Sequence, residues 1–179
     1  MLAATVQCAG RVSLARITVE EVAREAGVSR ASVYRWFPGG RDQLLDEAIT
    51  FEVGRFLSRM ADAAEGAPDL SSRLERSLLF AHRAIEEHEV LQHVLANEPA
   101  GVLPQLHATA PLVLAVVRDE LAGWLDGVAL NEGVDREEAA DYLARMLLSL
   151  VVNQGSWDLT DPAEVAEVVR TRLLAGVLE

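Results

Sequence analysis

Cysteine is nearly absent. Cys8 is the only one among 179 residues, which excludes an intramolecular disulfide framework and a multi-cysteine zinc site. A reducing, cytoplasmic setting fits that usage best. Lysine is missing altogether, so all 16 basic residues are arginine, a bias expected of a GC-rich genome. Long apolar runs are missing as well. The longest, residues 111–117, falls far short of the about 18 that a membrane-spanning helix needs. No basic flank leads into an apolar stretch with a cleavage site at the N-terminus, so no signal peptide is expected.

Catalytic patterns are equally scarce. The histidines are His82, His88, His93 and His107. Di-iron bundles need Glu-x-x-His on two helices, so that both ligands share one face. None of the four has Glu three residues before it, and Glu89 with His93 lacks a second pair. Cys8 has no histidine near it in sequence. There is no Gly-x-Ser-x-Gly, no Walker loop and no Gly-x-Gly-x-x-Gly. The sequence therefore predicts neither an enzyme nor a metal or cofactor carrier.

What is present is an apolar half and a helical rhythm. Gly and Pro gather at Gly27, at Pro38-Gly39-Gly40, at Gly66-Ala67-Pro68, between Pro99 and Pro104, at Gly133, and near Gly155 and Pro162. The segments between them carry helical periodicity: Leu74, Leu78, Ala81 and Ile85; then Leu143, Met146, Leu147, Leu150 and Val151; then Val165, Val168, Val169, Leu173 and Val177. Asp69 or Ser71, Asp135, and Asp161 before Pro162 read as helix starts. No alternating strand pattern and no repeat is found. The expected fold is all-α, about nine helices. A small unit, residues 1–45, precedes a larger one, residues 46–179. Charge divides the same way. Residues 1–45 hold six arginines against four carboxylates, or +2; the rest carry −14 of the total −12. A locally basic end on an acidic protein suits contact with a polyanion, although ordinary surface charge gives the same count.

Residues 18–37 hold the one dense motif. Thr18 and Glu21 have the spacing of a capping box. Val19, Val22, Ala23 and Ala26 share a face, Gly27 ends the helix, and Val28 is apolar enough to plug the turn. Ser29 caps a second short helix whose Val33 and Phe37 point inward. Arg30, Ala31, Ser32, Tyr34 and Arg35 are left outward. Two short helices joined by such a turn form a helix-turn-helix, whose second helix fits a DNA major groove. Arginine can bond guanine or phosphate, hydroxyls can anchor phosphate, and Ala31 permits close approach. Arg41 could add a phosphate contact at the start of the next helix.

The run Thr-Val-x-x-Val-Ala-x-x-Ala-Gly-Val-Ser-x-x-Ser-Val-Tyr-x-x-Phe resembles the N-terminal signature of the TetR/AcrR transcriptional regulators. The match is dense over residues 17–37 and weaker through Leu44, Leu45 and Ala48. The resemblance implies that Thr18 contacts phosphate and that Arg30, Ala31 and Arg35 face bases. Ser29 would cap the reading helix, while Ser32, Tyr34 and Trp36 hold the DNA backbone. Arg41 stands where the family usually has lysine. It further implies a fourth helix, roughly 42–64, linking the DNA unit to a sensor body. Departures from the family pattern are Ala9 for a Phe, Ser13 for a Gly, one extra residue in Phe37-Pro38-Gly39-Gly40-Arg41-Asp42, and Met1 falling inside or near the first helix, so that either a start of translation upstream or a weak first helix is expected.

For the larger unit, the resemblance implies a homodimer through the last two helices, 136–152 and 162–178. Their wide apolar faces fit that role and equally fit a monomer core. A pocket for a small, mainly apolar effector would lie between the central helices. Candidates for its lining are Phe56, Met60, Phe80, His82, Leu95, Leu103, His107, Leu112, Val116, Trp124, Met146, Asn153 and Trp157. Each also serves as ordinary core. The implied function is a ligand-responsive repressor that binds a palindromic double-stranded DNA operator and is released by effector. The alternatives are a helical dimeric adaptor without DNA binding and, more remotely, a helical metalloenzyme.

Overall fold

Helix starts and stops follow the local chemistry of the chain. Asp135 accepts from the amides of Glu137 (2.8 Å) and Glu138 (3.1 Å), and Asp161 accepts from Ala163 with Pro162 at the first helical position. Asp69, not Ser71, caps the helix after residue 69, accepting from Ser72 at 2.8 Å. The computed structural model describes residues 1–178. Among them are nine α-helices: α1 (Leu2–Ala9), α2 (Val19–Glu25), α3 (Arg30–Trp36), α4 (Gly40–Ala64), α5 (Leu70–Glu86), α6 (Glu89–Asn97), α7 (Pro99–Trp124), α8 (Arg136–Val152) and α9 (Pro162–Val168). A 3-10 turn (Leu14–Arg16) lies between α1 and α2, and a π-helical turn (Val169–Leu173) extends α9. The only extended pairing among the described residues is a single bridge between Leu130 and Leu178.

The chain forms two compact units. The first comprises Met1–Arg55 and Ile85–Ala110; the second comprises Phe56–Ala84 and Pro111–Glu179. The dividing points therefore fall within α4, α5 and α7, and the first unit takes in α6 besides the residues read as a DNA unit.

In the first unit, Ala4, Cys8 and Ala9 of α1 pack with Ile17, Val19, Val22, Ala23, Val33, Phe37 and Leu44. Ala9, where the family places a Phe, is thus a small member of this core. In the second unit, Leu74, Leu78, Leu121, Leu143, Ala144, Leu147, Val165, Val168, Val169 and Leu173 are all but sealed from solvent. The apolar stripes of α8 and α9, which fit a pairing surface or a monomer core equally well by sequence, are largely buried within the second unit. Periodicity marks a face as buried but does not say what covers it. Outward, these helices show Arg136, Tyr142, Arg145, Val152, Glu167 and Arg170.

α7 is long and apolar enough to cross a membrane by length and composition, and its most apolar window is only 17% buried. Pro104, His107, Thr109 and Pro111 interrupt it, so no unbroken apolar run marks it in the sequence.

Candidate nucleic-acid interface

The two short helices are held by their own ends. Thr18 closes the capping box of α2: its hydroxyl accepts from the Glu21 amide (3.2 Å), and the Glu21 carboxylate accepts from the Thr18 amide (2.9 Å). Those bonds from Thr18 hold the Glu21 carboxyl below its ordinary range. At the other end Gly27 takes φ +67°, the Val28 amide donates to Ala23 and the Gly27 amide to Arg24, a Schellman stop. Val28 does not plug this turn; it is 37% exposed beside α3. Ser29 caps α3 by accepting from the Ser32 amide at 3.0 Å.

α3 is anchored by one face and open on the other. Val33 (0% exposed) and Phe37 (7%) lock it into the core of the first unit. Arg30, Ala31, Tyr34, Arg35 and Trp36 all reach solvent, and α3 contains no carboxylate. Trp36, at 65% exposed, gives up apolar burial and so presents a large ring outward. Ser29 and Ser32 share one hydroxyl–hydroxyl bond of 2.9 Å, which uses one of their two protons and leaves the other free to donate. Arg35 has no ion-pair partner among the described residues. Arg30 does: its guanidinium lies 2.7 Å from Glu20 of α2, with both side chains at least half exposed.

Two of the anticipated phosphate contacts are engaged elsewhere. The Thr18 hydroxyl donates to Glu21 Oε2 at 3.0 Å, so its proton is in use. Arg41 is more deeply committed. Its Nε donates to the Ile17 carbonyl (3.0 Å), its Nη2 to the Leu14 carbonyl (2.6 Å), and its Nη1 pairs with Asp42. Arg41 therefore ties the turn before α2 to the start of α4, and little of it is left for phosphate. The glycines before it give a defined entry. The Gly39 amide donates to Gln43 Oε1 at 2.8 Å, and Gly40 takes φ +65° with the Tyr34 ring against it.

The effector-pocket candidates scatter. In the second unit Met60 is buried, Phe56 and Phe80 stack at 6.0 Å between centroids, and Trp124, Met146 and Trp157 pack on the core. His82 is half-buried, Asn153 accepts from the Gly155 amide, and Val116 and Leu112 are exposed. In the first unit Leu95 is half-buried, while Leu103 and His107 are exposed. One cleft in the second unit is lined by Ser71, Glu75, Ala163, Ala166, Arg170 and Leu174; another in the first is lined by Gln7, Gly10, Arg11, Glu89, Val90 and His93. Neither includes any candidate. Among the described residues no buried side-chain polar atom lacks a partner, and no group of three or more His, Cys, Asp or Glu could hold a metal ion.

Sequence reasoning missed Glu20 and Glu98. Glu20 opposes Arg30 across two helices. Glu98 accepts from Ser13 Oγ (2.8 Å) and from the Leu14 amide (3.0 Å). Neither contact has a local pattern that could have marked it.

Residues 1–48 match the family described as bacterial regulatory proteins, tetR family. An uncharacterized HTH-type transcriptional regulator of Mycobacterium tuberculosis is 39% identical over 56 residues, which is 31% of this chain and 28% of that protein. A second from the same organism is 25% identical over 159 residues, covering 87% of this chain and 74% of the relative. Among solved structures, the TetR family repressor AlkX from Dietzia sp., implicated in biodegradation of n-alkanes, has a TM-score of 0.68 at 21% identity and covers 98% of this chain and 97% of that one. A TetR-family regulator from Rhodococcus sp. has a TM-score of 0.64 at 19% identity, covering 96% and 95%. These likenesses establish the fold: an N-terminal helix-turn-helix followed by a helical body.

Proposed function

We propose that the chain is a member of the tetR family of bacterial regulatory proteins, whose description residues 1–48 match, and that it is a ligand-responsive repressor, not an enzyme, acting as a homodimer on a palindromic operator. The observation that carries the reading is α3: two apolar anchors bury one face, while Arg30, Ala31, Tyr34, Arg35 and Trp36 stand in solvent without a carboxylate among them. Arg30 and Arg35 face bases, with Ala31 allowing the approach. Tyr34, Trp36 and the free proton of the Ser29–Ser32 pair hold phosphates.

One such head buries too little surface to bind tightly, so two heads about 34 Å apart share an inverted repeat. Residues 1–45 read DNA, and residues 46–179 pair the copies and hold the effector. With the apolar stripes of α8 and α9 already buried, pairing uses the outward, more polar faces of those helices. The effector on this reading is small and mainly apolar, because His82, His107 and Asn153 are the few polar groups among the candidates that could orient a ligand. Effector and DNA oppose each other by one coupling free energy, typically about 1–3 kcal/mol, or roughly 5- to 150-fold in affinity. Such a regulator works in the cytoplasm, where the DNA is.

Selection from a random duplex pool at stated salt tests this. Recovery of an inverted repeat is expected. Enrichment of a single unrepeated site would overturn the dimeric reading, and no enrichment at all would overturn DNA reading.

A further inference from the structure

We infer that Glu98 and Arg41 are positioning residues of the DNA reader, which together grip the turn between α1 and α2 and thereby set where α2 begins. The inference rests on the DNA-binding reading above.

The turn Leu14–Arg16 is only three residues long, and no side chain of its own caps it. The Arg16 amide donates to the Ser13 carbonyl at 2.8 Å, but the Leu14 amide would otherwise be left to water. Glu98, at the corner between α6 and α7 and 84 residues away in sequence, supplies the missing acceptor. One carboxylate oxygen takes the Ser13 hydroxyl at 2.8 Å and the other takes the Leu14 amide at 3.0 Å. Hydrogen bonds from the Ser13 hydroxyl, then the Leu14 and Ala15 amides, keep this carboxyl ionised below its ordinary range, aided by His93 and against partial desolvation. Arg41 takes the opposite polarity of the same turn, donating to the carbonyls of Leu14 and Ile17. Donors are thus held from the α6–α7 corner and acceptors from the start of α4.

Packing closes around the same point. A Cβ at Gly101 of α7 would stand 3.0 Å from Leu14 Cδ1, and one at Gly10 would stand 2.9 Å from Val90 Cγ2 of α6. A side chain at either glycine would thus require the Leu14 or Val90 side chain to shift. Ile17, the last residue held by Arg41, is 2% exposed, and the next residue, Thr18, is the cap of α2. A shift of the turn therefore shifts the α2 start, and the Schellman stop at Gly27 passes it to α3. The α6–α7 corner accordingly carries a handle on the reading helices. Neither Glu98 nor Arg41 needs to touch DNA to act.

The test measures affinity of the full chain for the selected duplex, and the slope of log affinity on log salt, in wild type, Glu98→Ala, Glu98→Gln, Ser13→Ala and Arg41→Ala. Amide exchange over residues 14–18 is followed in the same proteins without DNA. Glu98→Ala and Arg41→Ala are expected to speed exchange there and to weaken binding about tenfold, the equivalent of one charge-assisted hydrogen bond. The salt slope should stay unchanged, since no phosphate contact is lost. Glu98→Gln keeps one carbonyl for the Leu14 amide and should restore most of the affinity. Ser13→Ala, a gentler change should Glu98→Ala fail to fold, is expected to lie between Glu98→Gln and Glu98→Ala in both exchange and affinity. Faster exchange with unchanged affinity would reduce both residues to structural roles and overturn the inference. A fall in slope of about 0.9 per protomer in Arg41→Ala would make Arg41 a phosphate contact and overturn its half. Wild type that binds no duplex would instead remove the DNA-reading premise, and the inference with it.

Discussion

Glu20 restrains the arginine that stands first on the reading helix. Arg30 lies 2.7 Å from the Glu20 carboxylate, and the two side chains are 60% and 50% exposed. To reach a base, the guanidinium must leave that partner. An exposed pair of this kind holds about 0.2–1 kcal/mol, which is about 1.4- to 5-fold in an equilibrium constant. Glu20→Gln removes the restraint and also removes a negative charge from the face proposed to meet phosphate, so both effects have one sign. The variant is expected to bind the selected duplex about 1.4- to 5-fold more tightly per protomer, the two factors multiplying in a dimer. A scrambled duplex should gain as well, because part of the effect is independent of sequence. Fluorescence anisotropy with both duplexes at two salt concentrations reads each term. Weaker binding by Glu20→Gln, or lost discrimination between the duplexes, would refute the reasoning: Glu20 would then be aiming Arg30 on DNA, not holding it back.

Three further outcomes are expected. Arg35→Ala should weaken operator binding by about 1–3 kcal/mol and relax sequence preference, while Tyr34→Phe should weaken all duplexes more evenly; unchanged operator affinity in Arg35→Ala would mean the reading face is elsewhere. Gly40→Ala should lower stability to denaturant by at least about 1–2 kcal/mol, because φ is +65° and the new Cβ would meet the Tyr34 ring at 3.3 Å, whereas Gly54→Ala, with nothing within 4 Å in mid-helix, should raise it by about 0.5–1 kcal/mol. Acid should lower the melting temperature: Glu21, Asp69, Glu98 and Asp158 are held below their ordinary values of 4.5 or 3.8, so their contribution is complete above those values and is lost as pH falls through the depressed ones. A Glu21→Gln, Glu98→Gln double variant should show a shallower fall, and an identical profile would count against the assignment.

Much of the reading pair was legible because it is built from local rules. Thr18 with Glu21, Gly27 at the helix stop, and Val33 with Phe37 are each determined by residues within four positions, and the structure places all of them as expected. What was not legible lies at long range or in the backbone. Arg41 looked like a phosphate contact because its partners, the carbonyls of Leu14 and Ile17, are groups that every residue carries. The bond between Glu98 and Ser13 spans 85 residues with no pattern to announce it. The stripes of α8 and α9 announced burial correctly but not its owner. The effector candidates are mostly apolar or aromatic residues, with His82, His107 and Asn153 the polar ones, and such a set fits ordinary core equally well.

The π-turn at the end of α9 has a consequence for how such chains can vary. The Leu174 amide donates to Val169, one residue further back than an α-helix allows, so the turn holds an extra residue. Each helical residue rotates the chain by about 100°, so this surplus re-aims everything after it by that angle. Val168 and Val169 at its start, and Leu173 and Leu174 at its end, can therefore all face inward as adjacent pairs. Deleting one residue within Val169–Leu173 would restore an uninterrupted helix and turn the tail by the same angle. Here a single-position gap between two homologous sequences would mark a rotated C-terminal segment, not a lost contact.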